Sequence, residues 1–184
     1  MKNLQMKPQD ILLLLKLISI GEEQWKQKDI ADELCMSQSE ISESVKRCKY
    51  SGLLNPKGKK VARLALMEFL QYGITYVFPQ KPGPIVKGIP TAHSAEPLSK
   101  KIVSDEFYVW PSVKGQVRGH SIEPLYPSVV KIIHQDMNNE KDLPNNTLYE
   151  MLALVDSLRV GKAREKQLAL KELQKRVLTK AYVD

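Results

Sequence analysis

Residues 26–54 read as two short helices joined by a tight turn. Ile30, Ala31 and Leu34 recur at spacings of three and four, so a helix with one apolar face is expected from about Lys26 to Leu34. Ser37 followed three residues later by Glu40 is a capping box, and it starts a second helix. Ile41, Val45 and Cys48 give that second helix an inward stripe, and it runs to about Ser51, where Gly52 closes it. Only Cys35-Met36 forms the turn between them.

The rest of the chain divides around this pair. Pro8 suits a first helical turn, and Asp10 sits near the positive end of that helix. Ile11 to Ile20 makes it apolar almost all round, and Gly21 ends it. After the pair, Leu53 and Leu54 start a short strand. Asn55-Pro56-Lys57-Gly58 signals a turn, and Lys59 to Ala62 would return as a small wing. Leu64 to Tyr72 reads as a helix with Leu66, Phe69 and Leu70 inward and Gly73 as its stop. Ile74 to Phe78, rich in β-branched and aromatic residues, reads as a strand.

From Pro79 to Pro127 prolines and glycines interrupt every helical pattern, leaving a strand near Phe107 to Trp110 within a long functional loop system or an arm that packs on a partner. Helices then return. A weak one is expected over Ser128 to Gln135. A stronger one, Leu148 to Arg159, is capped by Asn145-Asn146-Thr147 and carries Leu152, Val155 and Leu158 on one face. Gly161 breaks it, and a last helix runs from Lys162 to Leu178, with Ala163, Leu170, Leu173 and Val177 as half of a heptad seam. The expected organisation is three segments: 1–78, 79–127 and 128–184.

Composition excludes some classes. Of 184 residues, 42% are apolar and 27% charged, which suits a globular chain with a real core. No apolar run reaches the ~18 residues of a membrane span. Lys2 and Lys7 before Ile11 imitate a signal peptide, but Gly21-Glu22-Glu23-Gln24 follows in place of a small-residue cleavage site, so a cytoplasmic protein is expected. The two cysteines, Cys35 and Cys48, lack metal-ligand spacing and read as small core residues. Net charge is +7, and the densest basic stretch spans Lys46 to Lys60, with no acid between Ser44 and Arg63. Such a patch suits a phosphate backbone.

Lys28 to Leu54 resembles the helix-turn-helix of winged-helix transcription factors, such as the MarR-like regulators. The resemblance rests on Ala31 at the crossing, on Ile30, Leu34, Met36, Ile41 and Val45 at buried positions, on Ser37-Gln38-Ser39 opening the second helix, and on Gly52-Leu53-Leu54 leading to the wing. It covers about a quarter to a third of the chain. Cys35 stands where the motif usually has glycine, and the wing is short. The fold it implies is mainly α: an N-terminal winged helix-turn-helix domain, a Pro/Gly-rich segment with short strands, and a C-terminal helical hairpin.

The function implied is sequence-specific binding of double-stranded DNA, as a transcriptional repressor and homodimer, without cofactor or catalysis. With Ile41, Val45 and Cys48 inward, Gln38, Ser39, Ser42, Glu43 and Lys46 face out to read bases in a groove wide enough for a helix. Lys28, Ser37, Arg47, Lys49, Lys57, Lys59 and Lys60 are the expected phosphate contacts, which position without specifying.

Two other classes compete. One is a protein-interaction adaptor or antitoxin-like component that grips its partner through 79–127. The other is a metal-dependent enzyme. Its basis is an internal echo, His93-Ser94-Ala95-Glu96-Pro97-Leu98 against His120-Ser121-Ile122-Glu123-Pro124-Leu125, whose histidines and carboxylates would hold zinc if the loops met. No phosphate loop, nucleophile elbow or dinucleotide fingerprint is present in the sequence. Phe107, Tyr108 and Trp110 read as core or interface rather than as a stacking platform.

Overall fold

The computed structural model describes residues 4–21, 24–138 and 147–178. The described residues are mostly helical, with one small three-stranded sheet among them. The chain divides into two compact units: residues 1–66 with 125–144, and residues 67–124 with 145–184. These units cut across the expected boundaries at 78 and 127. The helix after Pro127 belongs with the N-terminal unit, and the last two helices belong with the sheet. Sequence distance conceals both associations.

The first unit is built on α1 (Pro8–Ser19), α2 (Gln27–Glu33), α3 (Gln38–Tyr50) and α6 (Val129–Asn138). From Ile11 to Leu15 every α1 side chain is buried, as its all-round apolar sequence requires. Ile30, Ala31 and Leu34 of the α2 region and Ile41, Val45 and Cys48 of α3 are buried as expected. Between α2 and α3, Cys35 has φ +51°, the left-handed conformation in which glycine is usual. The expected wing is reduced to a single antiparallel bridge, Leu54 with Val61, around the turn 55–60.

In the second unit, Ile74 to Val77 of the expected strand Ile74 to Phe78 are helical, and Phe78 caps them. Residues 63–77 form α4 (Arg63–Glu68), a π-helical segment (Phe69–Gly73) and α5 (Ile74–Val77) in succession. Gly73 does not stop the helix. It is the place where the Phe69 ring folds back onto the backbone, closer than a Cβ would allow comfortably. The β-branched run 74–77 carries strand propensity, but helical packing overrides it.

The Pro/Gly-rich segment also holds more order than its composition suggests. β1 (Ile85–Pro90), β2 (Tyr108–Pro111) and β3 (Val117–Ser121) form a mixed sheet in which each strand pairs with both others. β1 is antiparallel to β2, with Ile89 opposite Trp110, and to β3, with Lys87 opposite Arg118; β2 and β3 run parallel. Three strands close this tightly only where backbones can touch. Gly88 lies against the Trp110 carbonyl, and Gly115 lies against the backbone of Gly88.

α7 (Thr147–Val160) and α8 (Ala163–Leu178) form the expected C-terminal helix pair, broken at Gly161. The expected cap at Asn145-Asn146 and the end of the segment at 179–184 lie outside the described residues. The heptad seam is displaced: Ala163 is exposed, and the buried stripe of α8 is Glu165, Ala169, Glu172, Leu173 and Val177.

α7 is buried from Met151 to Arg159 and carries the polar centre of the unit. Asp156, 1% exposed, accepts from the indole N–H of Trp110 at 2.6 Å, from Thr91 Oγ1 at 2.8 Å and from Arg159 at 2.7 Å. Arg159 donates onward to the carbonyls of Phe78 and Glu123. Burial pushes the Asp156 carboxyl up, and these donors pull it back.

Glu172 of α8 sits among Lys101, Lys175 and Arg176, whose hydrogen bonds hold its carboxyl at about 2, below the ordinary 4.5. A depressed carboxyl stabilises the fold above its unfolded pKa, and that stabilisation is lost as pH falls from about 4.5 toward 2. The Lys175 side chain is 66% exposed and that of Lys101 42%, so screening reduces the effect to about 1–2 kcal/mol. Glu172→Gln should lower stability near neutral pH by that amount and flatten the acid side of the stability curve. Thermal melts across a pH series check this, and parallel acid limbs in the two proteins would refute it.

Candidate nucleic-acid interface

α3 is set up by its cap. Ser37 Oγ accepts from the Glu40 N–H at 3.2 Å, and Glu40 accepts from the Ser37 N–H at 3.0 Å and from its hydroxyl at 2.9 Å. The Tyr126 hydroxyl donates to the other oxygen of Glu40, and with Ser37 it holds that carboxyl below its ordinary range. Ser37 is therefore occupied at the helix start. It helps a ligand only through its position, since its hydroxyl already serves the cap.

The inner face is fixed by more than apolar contact. Asp10 of α1, fully buried, accepts from Ser44 Oγ at 2.6 Å and from Arg47 through Nε at 2.8 Å and Nη2 at 2.6 Å. It also accepts from the Lys7 N–H at 2.8 Å, closing the first turn of α1. This removes Arg47 from the expected phosphate contacts. Its side chain is 6% exposed, and its Nε and Nη2 donors are spent on the two oxygens of Asp10. The i,i+3 spacing of Ser44 and Arg47 places both on the face that meets α1.

What remains outward is an edge of amide, hydroxyl and ammonium groups. Gln38, Ser39, Lys46 and Lys49 are exposed, and Ser42 and Glu43 are half-buried. Glu43 pairs with Lys46 at 2.7 Å, an exposed i,i+3 contact that offsets the carboxylate's repulsion of phosphate. Lys28 is exposed at the start of α2.

The basic turn 55–60 lies against the C-terminal part of α3. Gly58, at φ +70°, packs on the side chains of Lys49 and Val45. Asn55 Oδ1 organises the turn by accepting from the N–H groups of Lys59 at 2.8 Å and Lys60 at 3.2 Å. Lys57 and Lys60 point to solvent. Lys59 has a structural task. Its ammonium donates to the Trp25 carbonyl at 3.0 Å and sits 4.7 Å from the centre of the Trp25 ring, while the indole N–H donates to the Lys59 carbonyl at 3.1 Å.

The histidine segments come together without forming a metal centre among the described residues. His93 and His120 flank Tyr108, with ring centres at 4.7 and 6.4 Å. Ser94 Oγ accepts from the Tyr108 N–H at 2.8 Å, and the His120 N–H donates to the Phe107 carbonyl at 2.7 Å. The repeated motif thus brackets β2 on both sides. Its carboxylates diverge: Glu96 pairs with Lys100, and Glu123 is exposed. Tyr108 and Trp110 are core, while Phe107 is 47% exposed.

Sequence reading missed Asp10, Ser44 and Tyr126 as the residues that orient α3. Asp10 was legible only as a helix-start residue, and Tyr126 had no local signal. No helix among the described residues is long and apolar enough to cross a membrane. Set against protein-family models, curated proteins and solved structures, the chain matches none.

Proposed function

We propose that this chain binds double-stranded DNA with sequence preference through the outer edge of α3, as a winged helix-turn-helix transcriptional repressor acting as a homodimer. The observation that carries the reading is the division of α3 into two faces. One face is buried and pinned to α1 by Asp10. The other leaves Gln38, Ser39, Lys46 and Lys49 in solvent beside the exposed Lys57 and Lys60. Gln38 suits an adenine edge, and Ser39 and Ser42 suit several bases. Lys46, Lys49, Lys57 and Lys60 suit phosphates, and Lys28 extends that set. A dimer places two such helices one DNA turn apart, which is the usual geometry of the motif.

The test begins with selection of bound fragments from random duplex. Gln38→Ala should relax sequence choice at one position, at about 1–3 kcal/mol of discrimination. Lys57→Ala with Lys60→Ala should weaken binding to all sequences alike and reduce the salt slope by about 2. These two lysines are the informative pair, because removing Lys59 would also release the turn from Trp25. No duplex binding at low salt would reject the reading.

The adaptor reading is favoured by a different observation. Within 79–127, Ile85, Val103, Phe107 and Val113 expose apolar side chains. A partner that copurifies with the chain and stays bound after substitution of Gln38, Ser42 and Lys46 would decide for it.

A further inference from the structure

We propose that the mixed sheet carries a second phosphate-binding surface, formed by Lys87, Arg118 and Lys114, which takes the backbone of duplex DNA. The choice of DNA over another polyanion rests on the reading of α3 above; the surface itself rests on its own geometry.

Lys87 of β1 stands directly opposite Arg118 of β3 in an antiparallel register. Directly opposite residues project from the same face of a sheet with their Cβ atoms close together, so two cations there repel one another. Both are exposed, and among the described residues neither pairs with a carboxylate. The chain holds no acid at all from residue 69 to 95 or from 107 to 122, the two stretches that supply all three strands. Glu96 is paired with Lys100, and Glu106 with Lys162.

Lys114, also exposed, lies in the turn between β2 and β3, and that turn is tied to β1. The Ser112 N–H donates to the Lys87 carbonyl at 3.0 Å, and Gly115 lies directly on Gly88. The cations are therefore held on close-packed backbone rather than on a free loop. An unopposed cation pair destabilises a sheet unless an anion comes to it. A run of phosphates meets that need without reading sequence.

The pair makes the proposal testable with two readouts of opposite sign. Lys87→Glu puts a carboxylate opposite Arg118, so it should raise Tm by about 1–3 °C while weakening binding of a random-sequence duplex. Lys87→Gln with Arg118→Gln should reduce the salt slope of that binding by about 2, with the sequence preference set by Gln38 unchanged. An unchanged slope in the double variant, with the wild type binding and the Gln38 variant altered, would overturn the sheet surface and leave α3 standing. A lowered Tm for Lys87→Glu would overturn the repulsion on which it is built. No duplex binding by the wild type, or capture by vesicles of anionic phospholipid in place of duplex, would overturn both readings.

Discussion

Asp10→Ala should cost about 3–5 kcal/mol, because it strands a buried guanidinium. Asp10 is 0% exposed and Arg47 5% exposed, and no solvent is at hand to replace the carboxylate. The substitution also leaves the Ser44 hydroxyl and the Lys7 N–H without their acceptor. The loss comes from an unpaired charge and not from the worth of the pair itself, which sets up a control. Asp10→Leu with Arg47→Met removes both charges together and should recover most of the stability. Urea unfolding of the three proteins checks this. A double variant as unstable as Asp10→Ala would mean that the ion pair holds the helices by something other than charge compensation. In DNA binding, the double variant should retain the phosphate salt slope, since Arg47 does not reach the surface.

Gly88→Ala should cost about 3 kcal/mol or more, at the upper end of what overpacking does. Its Cβ would fall 2.1 Å from the Trp110 carbonyl oxygen and 2.9 Å from the Cβ of Val109. Neither obstacle is the end of a flexible side chain. The strand pairing must open to admit a methyl, and Trp110, which donates to Asp156, would move with it. Gly52→Ala is the comparison. Gly52 has φ +75°, but an added methyl there would meet nothing within 4 Å, so only backbone strain of about 1 kcal/mol applies. Near-ultraviolet circular dichroism of the tryptophans alongside chemical unfolding separates the cases. Equal costs at the two glycines would show that the sheet yields easily, and would contradict the close packing.

Particular residues show why some of this was legible and some was not. The Ser37–Glu40 cap, the stripe Ile41, Val45 and Cys48, and the breaks at Gly21 and Gly161 are local. Each depends on neighbours within about one helical turn, so periodicity reveals it. The strands β1 and β3 were hidden because Gly88, Gly115 and Gly119 read as breakers. In the folded chain they are the places where one backbone lies on another. Ile74 to Val77 misled in the opposite direction, since their strand propensity yields to a helix that continues from Arg63. In the candidate interface, Gln38, Ser39 and Lys46 were correctly placed outward, but Arg47 was not. Its charge suggested phosphate, and its partner lies 37 residues away.

The order of residues, then, determined which short stretches become helices, where they start and stop, and which side of α3 is apolar. Only the tertiary structure decided that Arg47 faces Asp10, that α6 joins the first unit, and that Lys87 meets Arg118 across a sheet. Helical periodicity is set by interactions over one turn, whereas pairing a charge or a strand depends on which distant segment folds against it.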